Sequence, residues 1–152
     1  MKLGIASDHA GYKMKEYLKK RLREMGFELT DFGTYGEESV DYPDYATKLA
    51  EAISKKVIDK GILICGTGIG VSIVANKYPG VRAGIAYSDD VAELIAKHND
   101  ANVICFGGRT MTMEEALKRV EIWLNTKFEG GRHERRINKI NDLEGRICGN
   151  YR

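Results

Sequence analysis

The sequence has few of the residues that mark disulfide scaffolds, zinc proteins or membrane proteins. Only three of its 152 residues are cysteine, and no Cys-x-x-Cys pair occurs. We therefore expect neither a disulfide framework nor a zinc site, and a reducing cytoplasm is the expected location. No export signal follows the first methionine, and no apolar run approaches membrane-spanning length, so no membrane partner is expected.

The sequence also lacks an excess of charge of either sign. It carries 24 basic and 22 acidic residues, for a net charge of +2. A balance this close is not typical of nucleic-acid-binding proteins, so no nucleic-acid partner is expected. The basic residues are nevertheless concentrated near the C-terminus, where they form either a solvated face or an anion site.

Short apolar runs alternate with amphipathic segments along the chain. Strands are predicted at 2–7, 27–32, 62–65, 83–87 and 102–106, and the more polar composition of the second indicates a strand near a sheet edge. Helices are predicted between the strands, one at about 72–77 and one opened by the capping-box pattern of Thr112 and Glu115, with a further helix from about residue 134. Strands with little polar interruption indicate a parallel sheet covered on both faces. We see no linker or internal repeat, so the chain is predicted to form one α/β domain over 1–152, with 130–152 as a basic tail.

The run Cys65-Gly66-Thr67-Gly68-Ile69-Gly70 follows the third predicted strand. It is not a dinucleotide motif, since Ile73 occupies the last glycine position, and no Gly-Lys-Ser/Thr follows as in a nucleotide P-loop. Val71 stands where a phosphatase-type thiol loop would have arginine. Two interpretations remain: a reactive thiol beside backbone N–H groups that bind an anion, or a buried structural cysteine before a loop.

Further polar groups follow other predicted strands. Asp8 and His9 come after the first strand, and Arg109 comes after the fifth. Ligands of open parallel sheets bind at this carboxyl edge. His98 and Asn99 instead end a helix, which places them at the opposite edge, so they can join the same site only from a neighbouring subunit.

Several candidate residues also have a plain structural interpretation. Arg132 and Arg136 share one helical face and suit either a phosphate or solvent. Asp8 and the segment 41–44, which contains Tyr42, can bind sugar hydroxyls or cap helices. No group of histidines and carboxylates has the spacing of metal ligands, so no metal site is predicted.

Taken together, five motifs closely resemble the type B ribose-5-phosphate isomerases. They are Ser7-Asp8-His9-Ala10-Gly11, Asp41-Tyr42-Pro43-Asp44, Cys65-Gly66-Thr67-Gly68-Ile69-Gly70, His98-Asn99 and Gly130-Gly131-Arg132-His133-Glu134-Arg135-Arg136. The resemblance runs from residue 3 to about residue 140. It implies a Rossmann-like three-layer sandwich with a five-stranded parallel sheet, in a homodimer or a dimer of dimers with shared active sites.

The resemblance also implies roles for individual residues. Cys65 matches the base that moves a proton between C1 and C2, and His98 matches the residue that assists ring opening. The backbone from Gly66 to Gly70 matches the oxyanion cradle. The positions that match substrate contacts are Asp8, His9, Tyr42, Gly66, Gly68, Ile69, Gly70, Asn99, Arg109, Arg132 and Arg136, and Thr67 lies within the cradle.

The implied reaction is a metal-free, cofactor-free isomerisation of ribose 5-phosphate and ribulose 5-phosphate in the pentose phosphate pathway. One branch of the family has a glutamate base in the helix after the glycine loop, but residues 71–76 contain no acid. The chain thus resembles the cysteine branch. Two alternatives stay open: isomerisation of a six-carbon substrate such as allose or galactose 6-phosphate, and a sugar-phosphate sensor without catalytic activity.

Overall fold

The computed structural model describes residues 1–151, and its five strands form one entirely parallel sheet. The strands are β1 (Leu3–Ser7), β2 (Leu29–Asp31), β3 (Lys60–Cys65), β4 (Ala83–Ile85) and β5 (Val103–Gly107). Their order across the sheet is β2-β1-β3-β5-β4. The predicted five-stranded parallel sheet is confirmed, and the more polar β2 is an edge strand, as its composition indicated.

The described residues form six α-helices. They are α1 (Tyr12–Glu24), α2 (Tyr42–Ser54), α3 (Ile69–Ala75), α4 (Asp89–Lys97), α5 (Met113–Asn125) and α6 (Arg132–Tyr151). Thr112 and Glu115 form the predicted capping box at the start of α5. Within the described part of the chain, no helix has both the length and the apolar character needed to cross a bilayer.

The side chains of each strand alternate between two apolar cores, and this makes the three layers. In β3, Ile62 and Ile64 face a core that also holds residues of α1, α4 and α5. Leu63 and Cys65 face the other core, which is shared with α2 and α3. The thiol of Cys65 is thereby directed towards the start of α3.

Two helix boundaries differ from the sequence prediction. The helix expected at about 72–77 begins at Ile69, and the terminal helix begins at Arg132. Gly68 has φ of 84°, a left-handed conformation that ends the turn after β3 and lets the chain enter α3 directly. As a result, the last two residues of the glycine-rich run belong to a helix.

Candidate active site

The turn that joins β3 to α3 holds the Cys65 sulfur against the backbone. The N–H of Gly68 donates a hydrogen bond to Cys65 Sγ at 3.2 Å. This contact fixes the thiol at the start of α3, where it faces the turn that follows β3. The Thr67 hydroxyl accepts a hydrogen bond from the Ile69 N–H at 3.2 Å and so stabilises the same turn.

Cys105 shows what a structural cysteine looks like in this fold. It lies in the middle of β5 and is fully buried in the core that also contains Cys65. Burial raises the pKa of the Cys105 thiol far above its ordinary value, and the nearby Cys65 adds to the rise. Cys105 is therefore a core thiol.

A cleft of about 430 Å³ opens over the Cys65 turn at the carboxyl edge of the sheet. Its walls are formed by Asp8, Tyr42, Cys65, Gly66, Thr67, Ile69, Gly70, Ile73 and Arg109. Eight of these nine residues belong to the site predicted from the sequence. The exception is Ile73, which lies one helical turn after Ile69 on the same exposed face of α3. The spacing of four residues between the two isoleucines is the sequence signal that could have predicted it.

Two close approaches shape this cleft. A Cβ atom on Gly70 would lie 2.6 Å from Cζ of Tyr42, so only glycine allows the tyrosine ring to cover the start of α3. A Cβ atom on Gly66 would lie 3.3 Å from Nη1 of Arg109, which places that guanidinium over the turn. Gly68 itself is buried beneath the cleft.

Asp8 and His9 lie at the end of β1 but face different surroundings. Asp8 is buried, and its Oδ1 accepts hydrogen bonds from the N–H groups of Ala10 and Gly11 at 3.0 and 3.2 Å. Asp8 thus caps the following turn and also lines the cleft. His9 lines a neighbouring cavity of about 480 Å³, and its Nδ1 accepts a hydrogen bond from the Val40 N–H at 3.1 Å.

The remaining predicted site residues lie elsewhere in the chain. His98 is the residue after α4, and Asn99 is the next residue in the chain. Both lie at the edge of the sheet where β5 begins. Val103 pairs with Gly61 and Gly107 pairs with Cys65, so four residues of strand, roughly 13 Å, separate the two edges. Within one chain, His98 and Asn99 therefore do not reach the Cys65 cleft, as the order of elements predicted.

The start of α6 and the loop before it pack against His98. The His98 and His133 rings are stacked, with centroids 4.1 Å apart and planes at 12°. Glu129 Oε2 lies 3.6 Å from His98 Nε2 and 3.7 Å from His133 Nε2. Burial lowers the pKa of His133, and the neighbouring His98 and Arg132 lower it further.

The residues His98, Glu129 and His133 are also the group in the described chain whose ligand atoms lie close enough together to hold a metal ion. The sequence did not predict this group because His98, at the end of α4, is about thirty residues away in the chain from Glu129 in the loop before α6 and His133 at the start of α6. Arg132 and Arg136 begin α6 beside it, on the same helix and one turn apart, and both are exposed. These two arginines therefore lie near His98 and away from Cys65.

Comparisons with known proteins give one consistent result. Residues 3–140 match the family model described as Ribose/Galactose Isomerase. The chain is 43% identical over 145 residues to ribose-5-phosphate isomerase B of Escherichia coli K12, covering 95% of this chain and 97% of that protein.

Solved structures of similar proteins have the same fold. The ribose-5-phosphate isomerase B of Clostridium thermocellum is 47% identical and superposes with a TM-score of 0.95, covering 97% of this chain and 99% of that one. The Mycoplasma genitalium ribose-5-phosphate isomerase B, solved with bound ribulose 5-phosphate, is 42% identical with a TM-score of 0.91, covering 95% of this chain and 96% of that one.

Proposed function

This chain belongs to the ribose/galactose isomerase family, and we propose that it interconverts D-ribose 5-phosphate and D-ribulose 5-phosphate through an enediolate. The observation that carries the proposal is the thiol of Cys65, held by a backbone N–H at the floor of the carboxyl-edge cleft. The reaction moves one proton between C1 and C2 and shifts the carbonyl, with no net redox change. It therefore calls for no nicotinamide.

Cys65 is the proposed base. It takes the proton from the carbon next to the carbonyl and returns it to the other carbon. The charge that develops on the carbonyl oxygen is stabilised by N–H groups of the first turn of α3, such as that of Gly70, which have no acceptor within the helix. Losing one such donor costs about 3 kcal/mol of transition-state stabilisation in comparable sites. These N–H groups therefore contribute to catalysis on the same scale as the base.

His98 is the proposed acid–base group for ring opening. Proton transfer between the ring oxygen and the anomeric hydroxyl converts furanose into the open aldehyde, and this precedes the Cys65 step. Asp8, Tyr42 and Asn99 are proposed to bind the sugar hydroxyls. Of these, Asp8 and Tyr42 line the Cys65 cleft, whereas Asn99 lies beside His98.

The substrate phosphate is proposed to bind Arg109, Arg132 and Arg136, with His9 nearby. Arginine suits this role because its planar fork donates two hydrogen bonds to one anion. Arg109 already lies over the Cys65 turn, while Arg132 and Arg136 lie at the other edge of the sheet. The proposed phosphate ligands therefore lie at the two opposite edges of the sheet.

A homodimer, alone or within a dimer of dimers, is proposed to bring Arg109 of one copy close to Arg132 and Arg136 of another. The tail 130–152 of one copy would lie across the Cys65 cleft of another. Exposed apolar side chains support such an interface: Ile69 and Ile73 beside the cleft are 53% and 56% exposed, and Leu143 on α6 is 46% exposed. The three free cysteines are compatible with a cytoplasmic protein.

The test of the proposed function is turnover by the purified protein. We expect ribose 5-phosphate to be converted with a higher kcat/KM than allose 6-phosphate or galactose 6-phosphate. Unphosphorylated ribose should be a very poor substrate, because the arginine contacts are then lost. Higher kcat/KM for a six-carbon phosphate would reassign the substrate, and no turnover of any of the three would contradict an enzymatic function.

A further inference from the structure

We propose that Arg82 is a positioning residue for the reaction, because its guanidinium holds the turn 98–100 and thereby directs Asn99 towards the sugar. We call the contacts between this guanidinium and the turn the Arg82 clamp. Arg82 lies directly before β4, and it is not among the residues proposed above to contact the substrate. The inference rests on the proposed function, since Arg82 acts on the substrate only through Asn99.

The Arg82 clamp is made mainly with the backbone of the turn. Nε of Arg82 donates to the carbonyl oxygens of Asn99 and Asp100 at 3.1 and 3.0 Å. Nη2 donates to the Asp100 carbonyl at 2.9 Å and to the Asp100 carboxylate at 3.3 Å. One planar cation thus holds two successive carbonyl groups just after the C-terminus of α4, where the helix dipole also favours positive charge.

The backbone conformation of Asp100 gives the turn a reason to be held. Asp100 has φ of 45°, in the left-handed region that glycine usually occupies after a helix. Its N–H donates to the Ala96 carbonyl at 3.2 Å, and the N–H of Ala101 donates to the Ile95 carbonyl at 2.9 Å. Because a residue with a Cβ atom adopts this conformation at a cost, bonds to its carbonyl and carboxylate stabilise the turn.

The backbone of Arg82 is itself fixed by Asn102, which follows the turn. The N–H of Arg82 donates to Asn102 Oδ1 at 2.8 Å, and its carbonyl accepts from the N–H groups of Asn102 and Val103 at 3.1 and 3.2 Å. The side-chain amide of Asn102 also donates to the Gly80 carbonyl at 2.8 Å. The guanidinium therefore extends towards the turn from a fixed point at the start of β4.

Asn99 is the residue whose direction depends on the Arg82 clamp. Its neighbour His98 is held by the stacked ring of His133, whereas Asn99 is exposed and is not fixed by packing. The carbonyl of Asn99 is bonded to Arg82, so the clamp sets the direction in which its side chain leaves the backbone. A displacement of about 1 Å in a group that positions a substrate can cost on the order of a hundredfold in rate.

Steady-state kinetics of Arg82→Met with ribose 5-phosphate test the positioning role. We expect KM to rise about tenfold while kcat changes less than about threefold, because Asn99 is proposed to bind the sugar and not to transfer a proton. Lys77→Met removes an exposed cation from the segment before β4 and is the matched control, which should keep both constants. A fall in kcat at unchanged KM would overturn the proposal, since loss of folded enzyme has that effect.

Arg82→Lys provides a second variant with a smaller change. It keeps the positive charge, but one ammonium cannot hold both carbonyl groups as the planar fork does. We expect its KM to lie between those of the wild type and Arg82→Met. If Arg82→Met does not fold, Arg82→Lys decides, and a wild-type KM in that variant would then overturn the proposal.

A double-mutant cycle tests whether Arg82 acts through Asn99. Residues that act as one unit have non-additive effects, so Arg82→Met should raise KM by less than about twofold when Asn99 is already alanine. Equal factors in the wild-type and Asn99→Ala backgrounds would contradict the proposal. Glycine adopts left-handed conformations without a steric cost, so Asp100→Gly should restore most of the substrate affinity lost in Arg82→Met. A double variant with the KM of Arg82→Met would contradict the proposal as well.

Amide hydrogen exchange, followed by NMR without substrate, separates the Arg82 clamp from the proposed function. In Arg82→Met, the N–H groups of Asp100 and Ala101 should exchange about tenfold faster or more, while those of β3 keep their rates. Unchanged exchange at Asp100 and Ala101 would overturn the proposal even if the wild type isomerises ribose 5-phosphate. Faster exchange, together with no turnover by the wild type, would support the clamp and contradict the proposed function.

Discussion

Two cysteines on the same face of the sheet, Cys65 and Cys105, lie in different chemical environments. Cys105 lies mid-strand, where burial raises the pKa of its thiol and keeps it neutral. Cys65 lies at the last position of β3, where the Gly68 N–H reaches its sulfur. The difference comes from position along the strand, because backbone N–H groups become available only where the strand ends.

Replacing Cys65 tests its role as the base. We expect Cys65→Ala to reduce kcat by about a hundredfold or more, because general base catalysis contributes on that order, while the substrate still binds. The measurements are steady-state kinetics and calorimetric binding of ribose 5-phosphate. Cys148→Ala, which removes a thiol from the tail, is the control and should turn over normally. Normal kcat in Cys65→Ala would refute the assignment.

Replacing His98 separates ring opening from proton transfer. Ribulose 5-phosphate cannot close a furanose ring through its phosphorylated C5 oxygen, so loss of its C1 proton to solvent requires only the Cys65 step. We expect His98→Asn to lower turnover of ribose 5-phosphate much more than this proton exchange, which is followed by NMR in D₂O. Equal losses in both measurements would show that His98 acts in the isomerisation step itself.

One carboxylate joins α1 to the edge strand β2. Asp31 Oδ2 lies 2.6 Å from Lys15 Nζ and 2.7 Å from Lys19 Nζ, and its Oδ1 accepts from the Gly33 N–H at 2.9 Å. The Lys15 side chain is fully buried. Burial by itself would raise the pKa of Asp31, but the bonds from Lys15 and Lys19 outweigh it and hold the pKa below the ordinary value.

Removing this charge should destabilise the fold in a pH-dependent way. Asp31→Asn leaves Lys15 buried without its closest counter-charge, so we expect a loss on the order of 3 kcal/mol in the free energy of unfolding at neutral pH. Because the pKa of Asp31 is lowered on folding, the contribution is complete above about pH 4 and is lost as the pH falls through the folded-state pKa.

Urea denaturation at a series of pH values measures both effects. The difference between wild type and Asp31→Asn should be largest at neutral pH and should shrink in acid. Glu38→Gln removes an exposed carboxylate from the loop after β2 and is the matched control. A difference that stays constant with pH would mean that the Asp31 charge does not stabilise the native state.

At the scale of the whole molecule, the proposed site is divided between the two edges of one sheet. Mixing a Cys65→Ala chain with an Arg136→Ala chain tests whether a second copy completes it. If Cys65 and Arg136 of one site come from different copies, the mixed dimer retains one intact site and recovers part of the activity. Kinetics on mixed dimers verified by mass spectrometry provide the measurement.

The controls of this experiment use the same helix. Arg135→Ala removes a neighbouring exposed cation and should leave KM unchanged, whereas Arg136→Ala alone should raise KM at least tenfold, since a charge-assisted bond contributes about 1.5–3 kcal/mol. Verified mixed dimers without recovered activity would refute a site shared between copies.

Much of the molecule could be predicted from the sequence because the relevant signals are local. Alternation of apolar runs indicated the parallel sheet, and the polar character of β2 indicated its edge position. The glycine-rich run after β3 made Cys65 a candidate site residue, since a strand end followed by glycines is visible in sequence. The same order of elements placed His98 at the opposite edge.

The tertiary structure alone decided which distant residues meet. The pattern along the chain contains no information on the distance between His98 and the loop before α6, so the close approach of His98, Glu129 and His133 became visible only in three dimensions. The start of α3 at Ile69 depends on the left-handed Gly68, and the apolar wall at Ile73 follows from that start. Sequence periodicity thus determined the elements and their order, while packing determined which side chains share a cavity, because contacts between elements depend on geometry that no local pattern records.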